Sequence, residues 1–570
     1  MRKTPRQSDL AKSMSIDGLN SDDGLFARRV VAALDEARGP RPRLVDPGPL
    51  YLGLRAAGVL RFSGWYDGDA IEDALAAAFR EAARTTRNKG VDAVELCQTH
   101  AYERVPEARI SRRFSDIHRG IHGIEIGIGG RAVRFAPTTM IACNLSFEKA
   151  FERVLAELRL SADAFFRDGG EVWRFRACQF LISLKNGTEA IPLHRGARLV
   201  AQDAMTKRTL REMIDGLGAW LVGNLAPSGR MTYKYWPSRG EESPADNPIR
   251  QFMATICLGR LARYTASRAV MEAARRNLAC NLERFFRRRE SIGTIEHDGT
   301  AKLGAAALAA LAIHELDARD THGEAYRLLS DGVAALWQPD GAFRTFHHPS
   351  HRNDNQNFYP GEALLFWTTR LCTDRDEALL AKCRRSFAYY RDWHRAHRNP
   401  AFIPWHSQAC ARLFALTGER AFAAFVFEMN DWLLAMQQGA EVRYDDLRGR
   451  FYDPRHRAYG PPHASSTAVY LEGLAEALRL AVDLGEEDRA RAYRRAIWRG
   501  LRNLRQLQFV DDADMFYISR RHRVRGGLRT EAYDNTIRVD NVQHALMALL
   551  NLMTLPAFAA ELGAALARSA

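Results

Sequence analysis

From about residue 200 onward one pattern repeats: a polar loop marked by Gly or Pro, a helix apolar on nearly every side, then a helix apolar along one stripe. The apolar stretches are Phe252–Tyr264, Leu303–Leu316, Ala363–Leu371, Ala409–Leu416, Val469–Leu480 and Val542–Leu552. Apolar positions recur there at three and four residues, the helical period, with almost no strand signal. Between them lie the more amphipathic segments Ala269–Arg288, Glu324–Leu336, Glu377–Arg395, Ala421–Gln437 and Asp488–Leu507. A helix that is apolar all round must be covered on every side, whereas a striped one keeps a face in water. Six such pairs predict a mainly α fold, an (α/α)6 toroid over residues 205–555 with the apolar helices as its inner ring. It forms one domain of about 350 residues, because each hairpin buries its face only against its neighbours.

The loops that open the six apolar helices carry Asp246, Asp298, Glu362, His406, Ser466 and Asp540, spaced 44 to 74 residues apart. Helix N-termini hold unpaired N–H groups and a partial positive charge. Six of them on one rim predict a polar, anion-tolerant mouth over an apolar barrel. Cleavage of a glycosidic bond needs one protonated and one ionised carboxyl. Uronate epimerisation or elimination needs a base beside an acidic C–H and a group that neutralises the uronate. The catalytic candidates are Glu362, Asp298 and Asp540. Pro360 and Gly361 place Glu362 in a first helical turn, where the N–H groups should keep it ionised, as a base or nucleophile, with Asp298 or Asp540 donating the proton. Candidates for binding substrate are Tyr233, Tyr235, Asp246, Asn247, Arg250, Tyr359, Trp405, His406, His463, Arg538, Asn541 and His544. The bland reading of the acids is helix capping, and of the aromatic residues, packing.

The chain before the repeats differs. Residues 1–45 are polar, with a helix expected at 24–38 and a linker at 39–43. Residues 46–195 mix periods and predict an α+β domain. Its strands are expected at Val91–Cys97 and Val172–Leu184, with a hairpin at Gly123–Phe135 through Gly129-Gly130. Helices are expected at Asp69–Arg87 and at Ser146–Leu158, the latter capped by Ser146. The eight cysteines show no C-x-x-C spacing, which predicts free thiols in a reducing cytoplasm and no zinc site. No apolar run is long enough for a membrane span, and no apolar segment follows the basic start as in a signal peptide. Neither metal nor cofactor is expected. The net charge of +14 rests on 73 Arg and only nine Lys. Arginine forks suit an anionic substrate, but no basic run interleaved with aromatics predicts a nucleic-acid groove.

Several segments together carry a resemblance. They are Thr232-Tyr233-Lys234-Tyr235, Asp246-Asn247 with Ile249-Arg250, Lys302–Leu308, Tyr359–Leu365, and Arg538, Asp540-Asn541 and Gln543–Ala545. The set resembles bacterial (α/α)6-toroid proteins of the glycoside hydrolase and sugar epimerase-like group, over about residues 205–555. The resemblance implies a carbohydrate-active enzyme acting on a saccharide or polysaccharide in the mouth. The alternatives are a uronate epimerase or lyase, and a non-catalytic glycan- or peptide-binding assembly protein. More weakly, His122–Ile126, Ala132–Pro137, Ser146–Phe166 and Trp173–Leu181 resemble the AMMECR-type domain. That family's Arg-Gly-Cys-Ile-Gly turn has its nearest counterpart in Leu60–Gly64, which lacks the cysteine.

Overall fold

The computed structural model describes residues 21–38, 48–67, 71–84, 90–106, 115–185, 188–555 and 558. The chain divides into two compact units, Met1–Arg198 with Asp512–Ser519, and Leu199–Asp511 with Arg520–Ala570. The expected linker at 39–43 lies outside the described residues.

The first unit is built on one antiparallel sheet. Its strands are β1 (Leu50–Ala56), β2 (Val59–Tyr66), β3 (Ala93–Arg104), β4 (His122–Ile128), β5 (Arg131–Phe135), β6 (Glu171–Ser183) and β7 (Glu189–Leu193). They run in the order β2-β1-β3-β6-β4-β5, and β7 also pairs with β6. The helices are α1 (Ser21–Arg38), α2 (Ile71–Arg84), α3 (Pro137–Ala142), α4 (Phe147–Leu158) and α5 (Ala162–Arg167). The β4–β5 hairpin turns at Gly129-Gly130 and pairs Ile124 with Phe135. Ser146 caps α4, its side chain accepting from the Lys149 N–H. Helix α1 supplies Ala27, Val30 and Leu34 to the same core as Leu52, Leu54, Val94 and Ile182 of the sheet. Leu60–Gly64 lies inside strand β2 rather than in a turn.

Among the described residues, the second unit contains twelve α-helices that alternate between two rings. The inner helices are α7 (Pro248–Thr265), α9 (Leu303–Glu315), α11 (Tyr359–Leu371), α13 (Ile403–Thr417), α15 (Ala464–Asp483) and α17 (Val539–Met553). Each packs on the next, and α17 packs back on α7, closing the ring. The outer helices are α6 (Lys207–Gly223), α8 (Arg268–Phe285), α10 (Arg319–Ala335), α12 (Glu377–Ala396), α14 (Arg420–Leu434) and α16 (Glu487–Leu507). In α9 every residue from Leu303 to His314 is buried, as a helix covered on all sides requires. The sixth outer helix is α6, which precedes the first inner one and packs on α17. The ring is thus closed by its two ends in sequence.

A repeated glycine ties the outer ring together. Gly526, at φ +84°, faces the Gly216 carbonyl of α6 so closely that a β-carbon would collide with it. Gly229, Gly341 and Gly449 meet the carbonyls of Arg276, Arg385 and Arg499 on α8, α12 and α16 in the same way. Only glycine combines that φ with that approach.

The near-absence of strand signal after residue 200 is corrected by two small sheets. One joins β10 (Phe286–Arg289), β11 (Ile292–His297), β12 (Thr300–Lys302) and β13 (Phe346–His348). The other joins β14 (Arg529–Glu531), β15 (Asp534–Arg538), β8 (Lys234–Trp236) and β9 (Glu241–Glu242). These strands are too short for a periodicity to show. Their pairing is long-range, as in Ile537 with Tyr235. Strands β12 and β15 lead directly into α9 and α17, so the sheets form part of the rim.

Candidate active site at the ring mouth

Glu362 sits in the first turn of α11 and is 1 % exposed. Its Oε2 has no hydrogen-bond partner. Room for the carboxyl comes from Gly304 on α9, where any β-carbon would collide with Oε2. Burial pushes the Glu362 carboxyl up to about 7, while Arg250 and Lys302 pull it the other way. This reverses the expectation that the helix N-terminus keeps Glu362 ionised. Desolvation of a side chain without hydrogen bonds outweighs the dipole and both cations.

Asp540, in the first turn of α17, is fully buried yet charged. Arg538 Nε donates to Oδ1 at 2.9 Å, and Arg250 Nε donates to Oδ2 at 2.9 Å. The second Arg538 fork nitrogen also meets Oδ2. Burial disfavours the charge, but the two guanidiniums overcome it and hold Asp540 well below the usual carboxylate range. Both of its oxygens are therefore occupied by cations.

Arg250 links these two carboxyls, because its charge acts on Glu362, Asp540, Tyr359, Lys302 and His463 alike. Lys302 was not singled out from the sequence. It is half-buried, and its pKa is lowered by burial and then by Arg352 and Arg250. Lys302 and Arg538 occupy the same slot, the residue immediately before an inner helix, and His463 occupies it before α15. That register was the available signal, together with the rarity of lysine in this chain.

The other candidates scatter around this centre. Tyr359 is 8 % exposed, and burial raises its hydroxyl pKa. Trp405 packs its β-carbon against Gly361 and its ring against His544, with centroids 6.1 Å apart. His406 stacks on Phe402 at 3.6 Å and stays neutral, since burial and the nearby His394 hold its pKa far down. Asn247 caps α7 through the Arg250 N–H. Asp246 is tied to Gln251 and to Arg284 of the outer helix α8, each at 2.6 Å. Asn541 donates to Thr530 at 3.2 Å, anchoring α17 to β14. Tyr235 is buried under the Arg523 guanidinium, 5.3 Å from its ring centre, and the Tyr233 carbonyl accepts from the Val539 N–H. Asp298 is not brought to the centre: its side chain is 86 % exposed in the turn between β11 and β12, beside His297.

The barrel below is not purely apolar. His544 Nδ1 lies 2.8 Å from Glu472 Oε1, with the two side chains 6 % and 0 % exposed. Deeper, Arg260 forks Glu315 at 2.9 and 2.5 Å, and Arg263 joins Glu315 at 3.1 Å. Among the described residues, no group of three or more His, Cys, Asp or Glu is arranged to hold a metal ion. None of their helices is long and apolar enough to cross a membrane. A cavity of about 630 Å³ lies between α6 and residues 521–526, lined by Asp215, Trp220 and Arg523 among others and by neither Glu362 nor Asp540.

No family model matches this chain, and no curated protein matches it. Among solved structures it is similar to a D-mannose isomerase, at 12 % identity and a TM-score of 0.47, over 61 % of this chain and 97 % of that one. It is also similar to an unsaturated glucuronyl hydrolase specific for heparin, at 11 % and 0.43, over 60 % and 96 % of the two chains. A third is the alpha-1,6-mannanase of Salegentibacter sp. HEL1_6, at 10 % and 0.44, over 60 % and 98 %.

Proposed function

We propose that this protein is a carbohydrate-active enzyme that works in the ring mouth, with Glu362 as its principal proton-transfer group. The observation that carries this reading is one buried carboxyl, unbonded at Oε2 and poised at about 7, beside Arg250 and Lys302. A group with that value gives and takes protons with equal ease near neutrality, as general acid–base catalysis requires. Tyr359 and Trp405 wall the same corner and offer ring surface to a sugar face.

The substrate carries an anionic group in this reading. Lys302 and Arg538 place positive charge just before helix N-termini that are already positive. Such a placement opposes the local electrostatics, and a bound anion reconciles the two. Asp540 serves to hold Arg250 and Arg538 in place. With both oxygens engaged it is a poor nucleophile or water-activating base, which a glycosidase would need as its second carboxyl. That favours a uronate epimerase or lyase over a hydrolase.

The test compares wild type with Glu362→Gln on hexuronates, their oligomers and neutral glycosides. The expected result is turnover of an anionic sugar, reduced about 100- to 10,000-fold in the variant. A folded Glu362→Gln protein that turns over at the wild-type rate removes the reading.

A further inference from the structure

The cavity beside α6 has a floor of small residues and a wall of basic ones. On α6, Asp215, Ala219 and Gly223 follow at four-residue spacing, as do Gly216, Trp220 and Asn224. Together they form one face of the helix, about 13 Å long. The opposite wall is the turn Arg521-His522-Arg523 with Arg525. Two contacts hold that wall alongside: Gly526 meets the Gly216 carbonyl, and Trp220 Nε1 donates to the Arg523 carbonyl at 3.0 Å. The enclosed volume of about 630 Å³ is that of a small-molecule site. All of these residues belong to the second unit.

Two features exceed what folding asks for. Packing accounts for Gly216, and for Gly218, whose β-carbon would meet Leu261 of α7 at 2.9 Å, but a β-carbon on Gly223 would meet nothing within 4 Å. A glycine weakens a helix, so Gly223 leaves room that packing does not call for. One cation would offset the C-terminal dipole of α6, yet the wall brings three arginines and a histidine. Arg523 is anchored by its ion pair with Glu242 of β9 and lies over the Tyr235 ring of β8. A guanidinium has more N–H donors than such an anchor uses, and its fork matches a carboxylate. Asp215 is exposed on the floor and accepts hydrogen bonds from hydroxyls. Trp220 and the small residues offer an apolar surface to the C–H face of a ring. Cations, a hydroxyl acceptor and an apolar floor together suit an acidic sugar.

We propose that this cavity is a second saccharide site, which holds an acidic sugar unit of an oligomer whose end enters the mouth. The proposal rests on the reading of the mouth as a site for an anionic sugar and extends it from one unit to a chain. The rim sheet joins the two places. Arg523 touches β8 and β9, β8 pairs with β15, and the last residue of β15 is Arg538. A second contact raises the effective concentration of the chain end at the mouth, so an oligomer binds more tightly than its single sugar.

The experiment titrates the full chain by calorimetry with oligogalacturonate, oligomannuronate and hyaluronate oligomers, each against its single uronate, with citrate and a neutral galactose oligomer as controls. Wild type is expected to bind at least one acidic oligomer about 10-fold or more tighter than the single sugar. Ala219 is exposed, so Ala219→Trp fills the cavity without entering the core, and Gly223→Leu fills it from the next turn. Both should erase the advantage of the oligomer and leave the single sugar unchanged. Asp215→Asn should weaken the oligomer about 10-fold, whereas Lys302→Met, at the mouth, should weaken oligomer and single sugar alike. Oligomer affinity unchanged in both folded filling variants overturns the second site and leaves the mouth reading standing. Loss in Ala219→Trp with no effect of Lys302→Met keeps the cavity as a saccharide site and overturns the anionic-sugar reading of the mouth. Citrate or the neutral oligomer bound as tightly as the acidic one overturns the acidic-sugar assignment. Three acidic oligomers bound no tighter than their single sugars overturn the proposal outright.

Discussion

The two ends of the inner ring bury carboxyls in opposite ways. At the far end, Glu315 is forked by Arg260 and reached by Arg263, and although burial opposes its charge these arginines hold its pKa down. At the mouth, Glu362 is as deeply buried but has no ion pair, and burial wins. The inner helices are alike, so the difference lies in what the flanking positions supply. One end has two arginines within bonding distance, the other has cations that act across a gap. A satisfied buried ion pair fixes structure, whereas an unsatisfied carboxyl stores a protonation equilibrium near neutral pH.

The largest effect that sharpens this contrast is on catalysis at the mouth. Glu362→Gln should lower kcat/KM about 1,000-fold without loss of stability. Its stability effect has a definite sign. The folded-state value of about 7 lies above the ordinary 4.5, so ionisation penalises the folded form fully above about pH 7 and not at all below about 4.5. Urea melts should show the variant gaining about 3 kcal/mol over wild type at pH 8 and nothing at pH 4. An advantage independent of pH would break the contrast. The far end should respond the other way. Arg260→Met strands Glu315 with a half-exposed Arg263 and should cost about 3 kcal/mol, most of it recovered by adding Glu315→Gln.

Asp540 tests the intermediate case, a mouth carboxyl paired like those of the far end. Its folded value is depressed, so its contribution is present above the ordinary Asp value of 3.8 and is lost as pH falls below it. Asp540→Asn should cost about 2 kcal/mol at pH 7 and progressively less toward pH 3. It should also raise KM more than it lowers kcat, since Arg250 and Arg538 lose their brace.

How much of this was legible follows from the range of each interaction. The inner helices were readable because each carries its own apolar period, and their boundaries fall within a few residues of those expected, apart from first turns hidden in polar loops. Helix α6 lies outside the expected pairs, because the polar-loop pattern starts at Asp246, one helix after it. The periodicity predicts a helix that runs to Arg288, since nothing local opposes that, yet Arg287 and Arg288 lie with Arg289 in strand β10, against Thr294, Gly293 and Ile292. Ser146 was legible as a cap because capping spans only three residues. Arg250 reaches Asp540 across 290 positions and His544 reaches Glu472 across 72, and no pattern in a single sequence marks such pairs. The expectation of an ionised Glu362 fails for the same reason: the helix dipole is local and readable, but the depth of burial is not.

The smallest effect concerns Asp298, one of the two acids, with Asp540, expected from the sequence to face Glu362. Its side chain is 86 % exposed, it lies 3.2 Å from His297, and its backbone sits at φ +47° in a two-residue turn with Gly299. Asn is among the residues that tolerate the left-handed region best, so Asp298→Asn leaves the turn intact. An exposed pair with one histidine contributes about 0.5 kcal/mol or less. The remaining influence is on Lys302, whose positive form Asp298 favours weakly from a distance. Removing that charge should leave melting unchanged within about 0.5 kcal/mol and should change turnover of an anionic sugar by less than about twofold, with any change toward tighter binding as the mouth becomes more positive. A loss comparable to that of Glu362→Gln would place the β11–β12 turn in the path of the substrate. It would also erase the contrast between one poised carboxyl and the paired or solvated ones around it.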